Sequence, residues 1–157
     1  MHKKTDKRQH SDSTSAPSPR LGYALWQTQH AVERVHDRAL EAVGITLTQA
    51  AALLHLNVQP GLSGAELARR LLVTPQSTAT LLAQLEKKGW IQRAPHEVHR
   101  TLIEVTITGE GGDVLQRAIA TMDATDKRIA EGLSVEEVEQ LNQSLALCLS
   151  KAQSILA

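Results

Sequence analysis

Phenylalanine is absent from this chain of 157 residues, which has one tyrosine and two tryptophans. With so few rings, Tyr23, Trp26 and His30 stand out, spaced three and four apart on one helical stripe. Cysteine occurs once, as Cys148, which excludes an internal disulfide. It occupies an apolar position in LNQSLALCLSKAQ, so a buried structural thiol is expected rather than a redox sensor. Long hydrophobic runs are missing too. Nothing approaches the roughly 18 apolar residues that cross a bilayer, and no apolar stretch follows the N-terminal charges as a signal peptide requires. A soluble, cytoplasmic protein without a membrane partner is the expectation. Net charge is zero, which at first sight argues against a nucleic-acid partner.

The distribution of charge says otherwise. Residues 63–100 carry six Lys/Arg against three Asp/Glu and residues 1–20 carry five against two, while residues 109–157 carry four against eight. Such asymmetry speaks about partners. The length suits one packed domain with extensions. Residues 1–19, rich in Ser, Pro, Lys and Asp and nearly devoid of apolar side chains, read as a disordered basic tail.

Apolar residues at Leu21, Leu25, Val32, Val35 and Val43 predict a long first helix stopped by Gly44. Thr48 is expected to cap a second helix ending before Pro60-Gly61. Ser63 and Glu66 have the spacing of a capping box for a third helix reaching about Leu72. Thr74 then caps a fourth, with Pro75 at the first helical position, where a missing N–H costs nothing. Two helices joined this tightly predict a helix-turn-helix. The fourth ends at Gly89, with Lys87 and Lys88 suited to its C-terminal dipole. Residues 90–94 and 102–107 predict a hairpin with one face buried, carrying Ile103, Val105 and Ile107, around the polar loop PHEVHRT. Thr108 caps a fifth helix, about 110–131, and Ser134 with Glu137 starts a sixth, about 135–156. The sixth shows an a/d pattern through Val138, Leu141, Leu145 and Cys148 that wants helical partners.

On the fourth helix Leu81, Leu82 and Leu85 point inward, leaving Gln76, Thr80, Gln84 and Lys87 on the opposite face with Ser77 beside them. Amides can read base edges, hydroxyls suit any base, and lysines suit phosphates. Beside a hairpin with a basic loop, this face is expected to read DNA.

From about Leu21 to Ile155 the chain resembles the MarR family of winged helix-turn-helix regulators. The resemblance is carried by LSGAELARRLLVTPQSTATLLAQLEKKGWIQR and a strand ending in TITGEGG. It implies a mainly α fold with a small β-hairpin wing, and a homodimer whose terminal helices intertwine. It also implies a recognition helix for the major groove and a wing for the minor groove. On this view residues 20–46 and 109–157 are dimerisation helices and 47–108 the DNA-binding lobe. The DNA-binding residues implied are Ser63, Thr74, Gln76, Ser77, Thr80, Gln84, Lys87, Lys88, Arg93, His99 and Arg100. Two departures matter. The family's wing reads Asp-x-Arg, where His99 and Thr101 stand here with Arg100 between them, so Arg100 is assigned the wing role. Pro75 and Thr80 replace arginines found in many relatives.

The partners expected are a pseudo-palindromic duplex, a second copy of the chain, and a small aromatic or anionic effector. The effector pocket is assigned to Tyr23, Trp26, His30 and His55, with Trp26 as filler of the dimer core the competing reading. GEGG at 109–112 lacks a phosphate-binding pattern and reads as a flexible helix start. No Ser/His/Asp constellation supports catalysis and no cofactor is expected. Seven histidines keep a zinc-responsive regulator open, although His30 and His36 lie off a common face and His96 and His99 fall in the wing. A winged module that binds protein instead of DNA is the other alternative.

Overall fold

The computed structural model describes residues 20–95 and 103–156. Helix α1 (Leu21–Leu40) runs into a short 3-10 turn (Glu41–Val43), and both stop at Gly44, whose φ of 78° needs no Cβ. Helix α2 (Leu47–Val58) is capped by Thr46 and not by Thr48. The reason is reciprocity: Thr46 Oγ1 accepts from the Gln49 amide at 3.2 Å while Gln49 Oε1 accepts from the Thr46 amide at 3.4 Å. Thr48 has no matching partner three residues on, and falls inside the first turn.

Strand β1 (Leu62–Ser63) leads into α3 (Gly64–Leu71), and α4 (Pro75–Lys87) follows after a short turn. Strands β2 (Ile91–Pro95) and β3 (Ile103–Ile107) pair antiparallel, with Ile91 opposite Ile107 and Arg93 opposite Val105. The third strand, β1, has no counterpart in the sequence reading. It adds to the other edge of β3, with Leu62 opposite Val105, so the sheet order is β1-β3-β2. The hairpin's apolar face is only partly covered. Val105 is buried and Ile107 half-buried, whereas Ile103, toward the loop, is exposed and borders an open groove between the hairpin and α3 and α4.

The core is aliphatic, as a chain without phenylalanine requires. Leu40, Leu53, Leu56, Leu62, Leu67, Leu85 and Leu115 are fully buried, with α2 in the middle between α5 (Gly109–Ile129), α3 and β3. Trp90 supplies the one buried indole. Helix α6 (Val135–Leu156) starts with the expected box, in which the Ser134 amide donates to Glu137 at 2.7 Å and the Glu137 amide donates to Ser134 at 3.2 Å. None of its residues is buried within the protomer. Cys148 is accordingly only half-buried, contrary to the expectation of a core thiol, because the stripe it belongs to has no cover in the single chain.

GEGG proves to be more than a flexible start. Thr108 caps α5, but a Cβ on Gly111 would lie 2.0 Å from the Trp90 carbonyl oxygen and 2.9 Å from Ile107 Cγ1. The glycine lets α5 lie directly on the backbone where the hairpin begins. Gly111→Ala should therefore force two elements apart and destabilise by about 3 kcal/mol or more. Urea unfolding checks this, with Gly112→Ala, which meets nothing within 4 Å, as the neutral control.

Candidate nucleic-acid interface

The turn between α3 and α4 is built from three local devices. Leu72 adopts a left-handed conformation (φ 55°) and ends α3, with its amide and that of Val73 returned to the last carbonyls. Thr74 Oγ1 accepts from the Ser77 amide at 3.1 Å, and Pro75 opens α4. The two helices are thereby held at the short separation of a helix-turn-helix.

On α4, Thr78, Leu81, Leu82 and Leu85 are buried, and Gln76, Ser77, Thr80, Gln84 and Lys87 are exposed, as the spacing predicts. Ala79 and Ala83 are also exposed, so small residues lie between the polar ones. A face of this kind can approach a groove closely. Thr74 and Ser77 share a hydroxyl–hydroxyl bond of 2.9 Å, and Thr80 Oγ1 donates to the Gln76 carbonyl at 3.2 Å. These hydroxyls are oriented by the helix, while the Gln76 amide and the Lys87 ammonium have no hydrogen-bond partner among the described residues.

Four other candidates have internal tasks. Ser63 Oγ accepts from the Glu66 amide and donates to the Glu66 carboxylate at 2.6 Å, completing the cap of α3. That hydroxyl first, then the Ser63 amide, holds the Glu66 carboxyl below its ordinary value. The box is therefore intact above the ordinary carboxylate range and is lost as pH falls through the lowered value. Ser63→Ala should cost about 1 kcal/mol at neutral pH. Unfolding titrations of the two proteins should draw closer in acid, the Ser63 Oγ bond to the Glu66 amide keeping a residual gap, and a gap that does not narrow would show that the carboxylate half of the box contributes nothing.

Arg93 on β2 is paired with Glu86 on α4, its Nε donating at 2.9 Å and its Nη2 to the same oxygen. This bond lowers the Glu86 carboxyl and raises the Arg93 guanidinium. Lys88 bends back toward the protein: Nζ donates to the Gly44 carbonyl at 2.9 Å and to Gln49 Oε1 at 3.3 Å, and lies 4.2 Å from the centre of the Trp90 ring. Gln84 is shared, because its Oε1 accepts from Gln49 Nε2 at 3.2 Å. Gln49 itself was not singled out in the sequence, although Thr-x-x-Gln at 46–49 is the capping-box signal that would have found it. His99 and Arg100 lie outside the described residues, as does the 1–19 segment.

A second feature lies on the other side of the turn. Tyr23 stacks on Trp26 at 5.8 Å between centroids, and Trp26 meets His30 at 4.5 Å; the His30 ring also bonds the Trp26 carbonyl at 2.9 Å. This ladder is exposed on α1 and does not itself line a cavity in the protomer. A groove of about 620 Å³ runs beside it, bounded by Gln29, Val32 and Glu33 of α1, Thr48 and Ala51 of α2, and Leu72 and Val73 of the turn. His55, half-buried, continues the Thr48–Ala51 stripe by one turn. Tyr23, Trp26, His30 and His55, expected together as an effector pocket, are therefore not brought together around the groove: none of the four lines it. His36, set aside in the sequence, is buried and ties α1 to α5 through Asp126 Oδ1 at 3.0 Å. Among the described residues no cluster of three His, Cys, Asp or Glu side chains could hold a metal ion, and no single helix is long and apolar enough to cross a membrane.

A tight helix-turn-helix with an exposed polar second helix, followed by a hairpin, defines a winged helix-turn-helix transcriptional regulator. Residues 43–100 match the model of the MarR family. The chain is 33% identical over 125 residues to the HTH-type transcriptional repressor Rv2887 of Mycobacterium tuberculosis, covering 80% of this chain and 90% of that one. The chain belongs to the MarR family. Its fold matches the crystal structure of Rv2887 with salicylic acid (TM-score 0.69, 33% identity, 85% of this chain and 98% of that chain). It also matches the repressor CouR bound to a 23-mer DNA duplex (TM-score 0.78, 27% identity, 83% and 92%).

Proposed function

We propose that two copies of this chain form a repressor that binds a pseudo-palindromic DNA site through α4 and leaves it when a small aromatic or anionic molecule occupies the groove beside Trp26. The observation that carries the reading is the α4 face itself: a Gln amide, oriented hydroxyls and an exposed lysine, interleaved with alanines, at the end of a tight turn. The solved relatives bound to DNA and to salicylic acid support the two ligand classes. Such a protein works in the cytoplasm and performs no catalysis.

The roles proposed divide along the chain. Residues 47–108 are assigned to DNA binding, with Gln76, Ser77, Thr80 and Gln84 facing base edges and Lys87 facing phosphate, and Arg100 keeps the wing role that the family resemblance implies. Ser63, Thr74, Lys88 and Arg93 hold that surface in shape, which is a supporting contribution to DNA binding. Residues 20–46 and 109–157 form the dimerisation part, because the exposed Leu21, Leu141, Leu145 and Leu149 need a cover that the protomer lacks.

Alanine variants separate the roles. Gln76→Ala should relax base preference at one position in each half-site at a cost of about 1–3 kcal/mol, while Lys87→Ala weakens all sequences alike and lowers the salt slope by about one. Binding isotherms on matched and mismatched duplexes across a salt series measure both. If Lys87→Ala alters base preference and Gln76→Ala does not, the assignment of the face is reversed.

A further inference from the structure

Behind the proposed reading face, donors and acceptors are arranged in one direction only. Lys88 Nζ is a donor without acceptor capacity, and it points at Gln49 Oε1 from 3.3 Å. The Thr46 backbone N–H, also a donor only, reaches the same oxygen at 3.4 Å. Turning the Gln49 amide over would set its NH2 against an ammonium and an N–H, so its orientation is fixed. Gln49 is 7% exposed and therefore has no solvent alternative. Its Nε2 must then donate, and it does so to Gln84 Oε1 at 3.2 Å. With its oxygen held from behind, exposed Gln84 turns its NH2 outward, and that group has no partner among the described residues.

The geometry points to Gln49 as a specificity-determining positioning residue, which sets the polarity of Gln84 so that this glutamine presents hydrogen-bond donors to DNA. The inference rests on the DNA-reading role proposed for α4. A freely rotating glutamine pairs with adenine, its oxygen accepting from N6 and its nitrogen donating to N7. A glutamine whose oxygen is engaged from behind meets the N6 amino group of adenine donor to donor. Guanine offers two adjacent acceptors, O6 and N7, to the same NH2. Guanine is therefore the base expected opposite Gln84.

The test is selection of binding sites from random duplex DNA by the full-length protein and its variants, run in parallel. Gln84→Ala, an exposed substitution, identifies the base pair concerned as the one position whose preference flattens. The wild-type protein should show guanine there, favoured over adenine by roughly tenfold. Gln49→Glu reverses the chain of bonds. Its carboxylate accepts from Lys88 on one side and from the Gln84 NH2 on the other, turning the Gln84 oxygen outward. The preferred base at that position alone should change from guanine to adenine. Gln49→Met, which cannot donate, should let both bases through.

Adenine at that position in the wild type, or an unchanged guanine in a folded Gln49→Glu protein, would overturn the proposal. So would a motif that does not respond to Gln84→Ala. If Gln49→Glu fails to fold, the wild-type base and the Gln84→Ala result still decide. Failure of the wild-type protein to select any motif is a different outcome: it removes the DNA-reading role of α4, and this inference with it.

Discussion

Leu145→Glu in α6 should convert the protein to a monomer and lower its affinity for a two-half-site duplex by about 10²–10⁴-fold, the contribution of holding two reading heads together. Leu145 is 41% exposed in the protomer although it lies on an a/d stripe with Leu141 and Cys148, and no residue of α6 is fully covered. Helix α1 has the same deficit at Leu21, Tyr23, Trp26 and Val35. Covering each large side chain stabilises by about 1.5–3 kcal/mol, so a seam of several suffices for an obligate dimer. A carboxylate placed in the seam loses that gain and must also be desolvated. Light scattering reads the oligomeric state and anisotropy reads the affinity. A glutamate variant that remains dimeric would show that the seam lies on another face of α6.

An aromatic acid that enters the groove beside the ladder should perturb Trp26 fluorescence and weaken DNA binding by a factor between about 5 and 150. Reciprocity requires DNA to weaken the ligand by the same factor. Trp26 is 54% exposed and lies three residues before Gln29, which bounds the groove, so a ligand ring that reaches it changes its surroundings strongly. Trp90 is a poor site for removing the second indole signal, since it is 8% exposed and lies beneath Lys88. Trp26→Leu is the better control, because it deletes the reporter and leaves the core intact. Benzoic and phenolic acids are the natural screen. A ligand that quenches Trp26 but binds equally well with and without DNA would separate the groove from regulation.

The parts of this molecule that the sequence disclosed are those set by rules acting over three or four residues. Ser63 with Glu66, Thr74 with Pro75, Thr108, and Ser134 with Glu137 each fix a helix start locally, and all four are found. The exposed face of α4 follows from helical periodicity once Leu81, Leu82 and Leu85 are placed inside. What escaped depends on partners far along the chain. Nothing near Leu62 announces a strand, because two residues become one only by pairing with β3. Lys88 looks like a phosphate lysine until Gly44 and Gln49, about forty residues earlier, are seen to hold it. Gly111 looks like flexibility until the Trp90 carbonyl is placed beneath it. The cap of α2 is as local as the other helix starts, since Thr46 and Gln49 have the capping-box spacing and Thr48, with Ala51 three residues on, does not.

A dimeric regulator is defined by how many chains occupy one duplex and by what holds them there. Sedimentation of the full-length protein with a labelled duplex carrying its selected site, repeated over a range of salt concentrations, measures both together. Two chains per duplex are expected, with half-sites about one helical turn apart and log affinity falling linearly with log salt as phosphate contacts are screened. One chain per duplex, or an affinity indifferent to salt, would contradict a dimeric regulator reading DNA through α4.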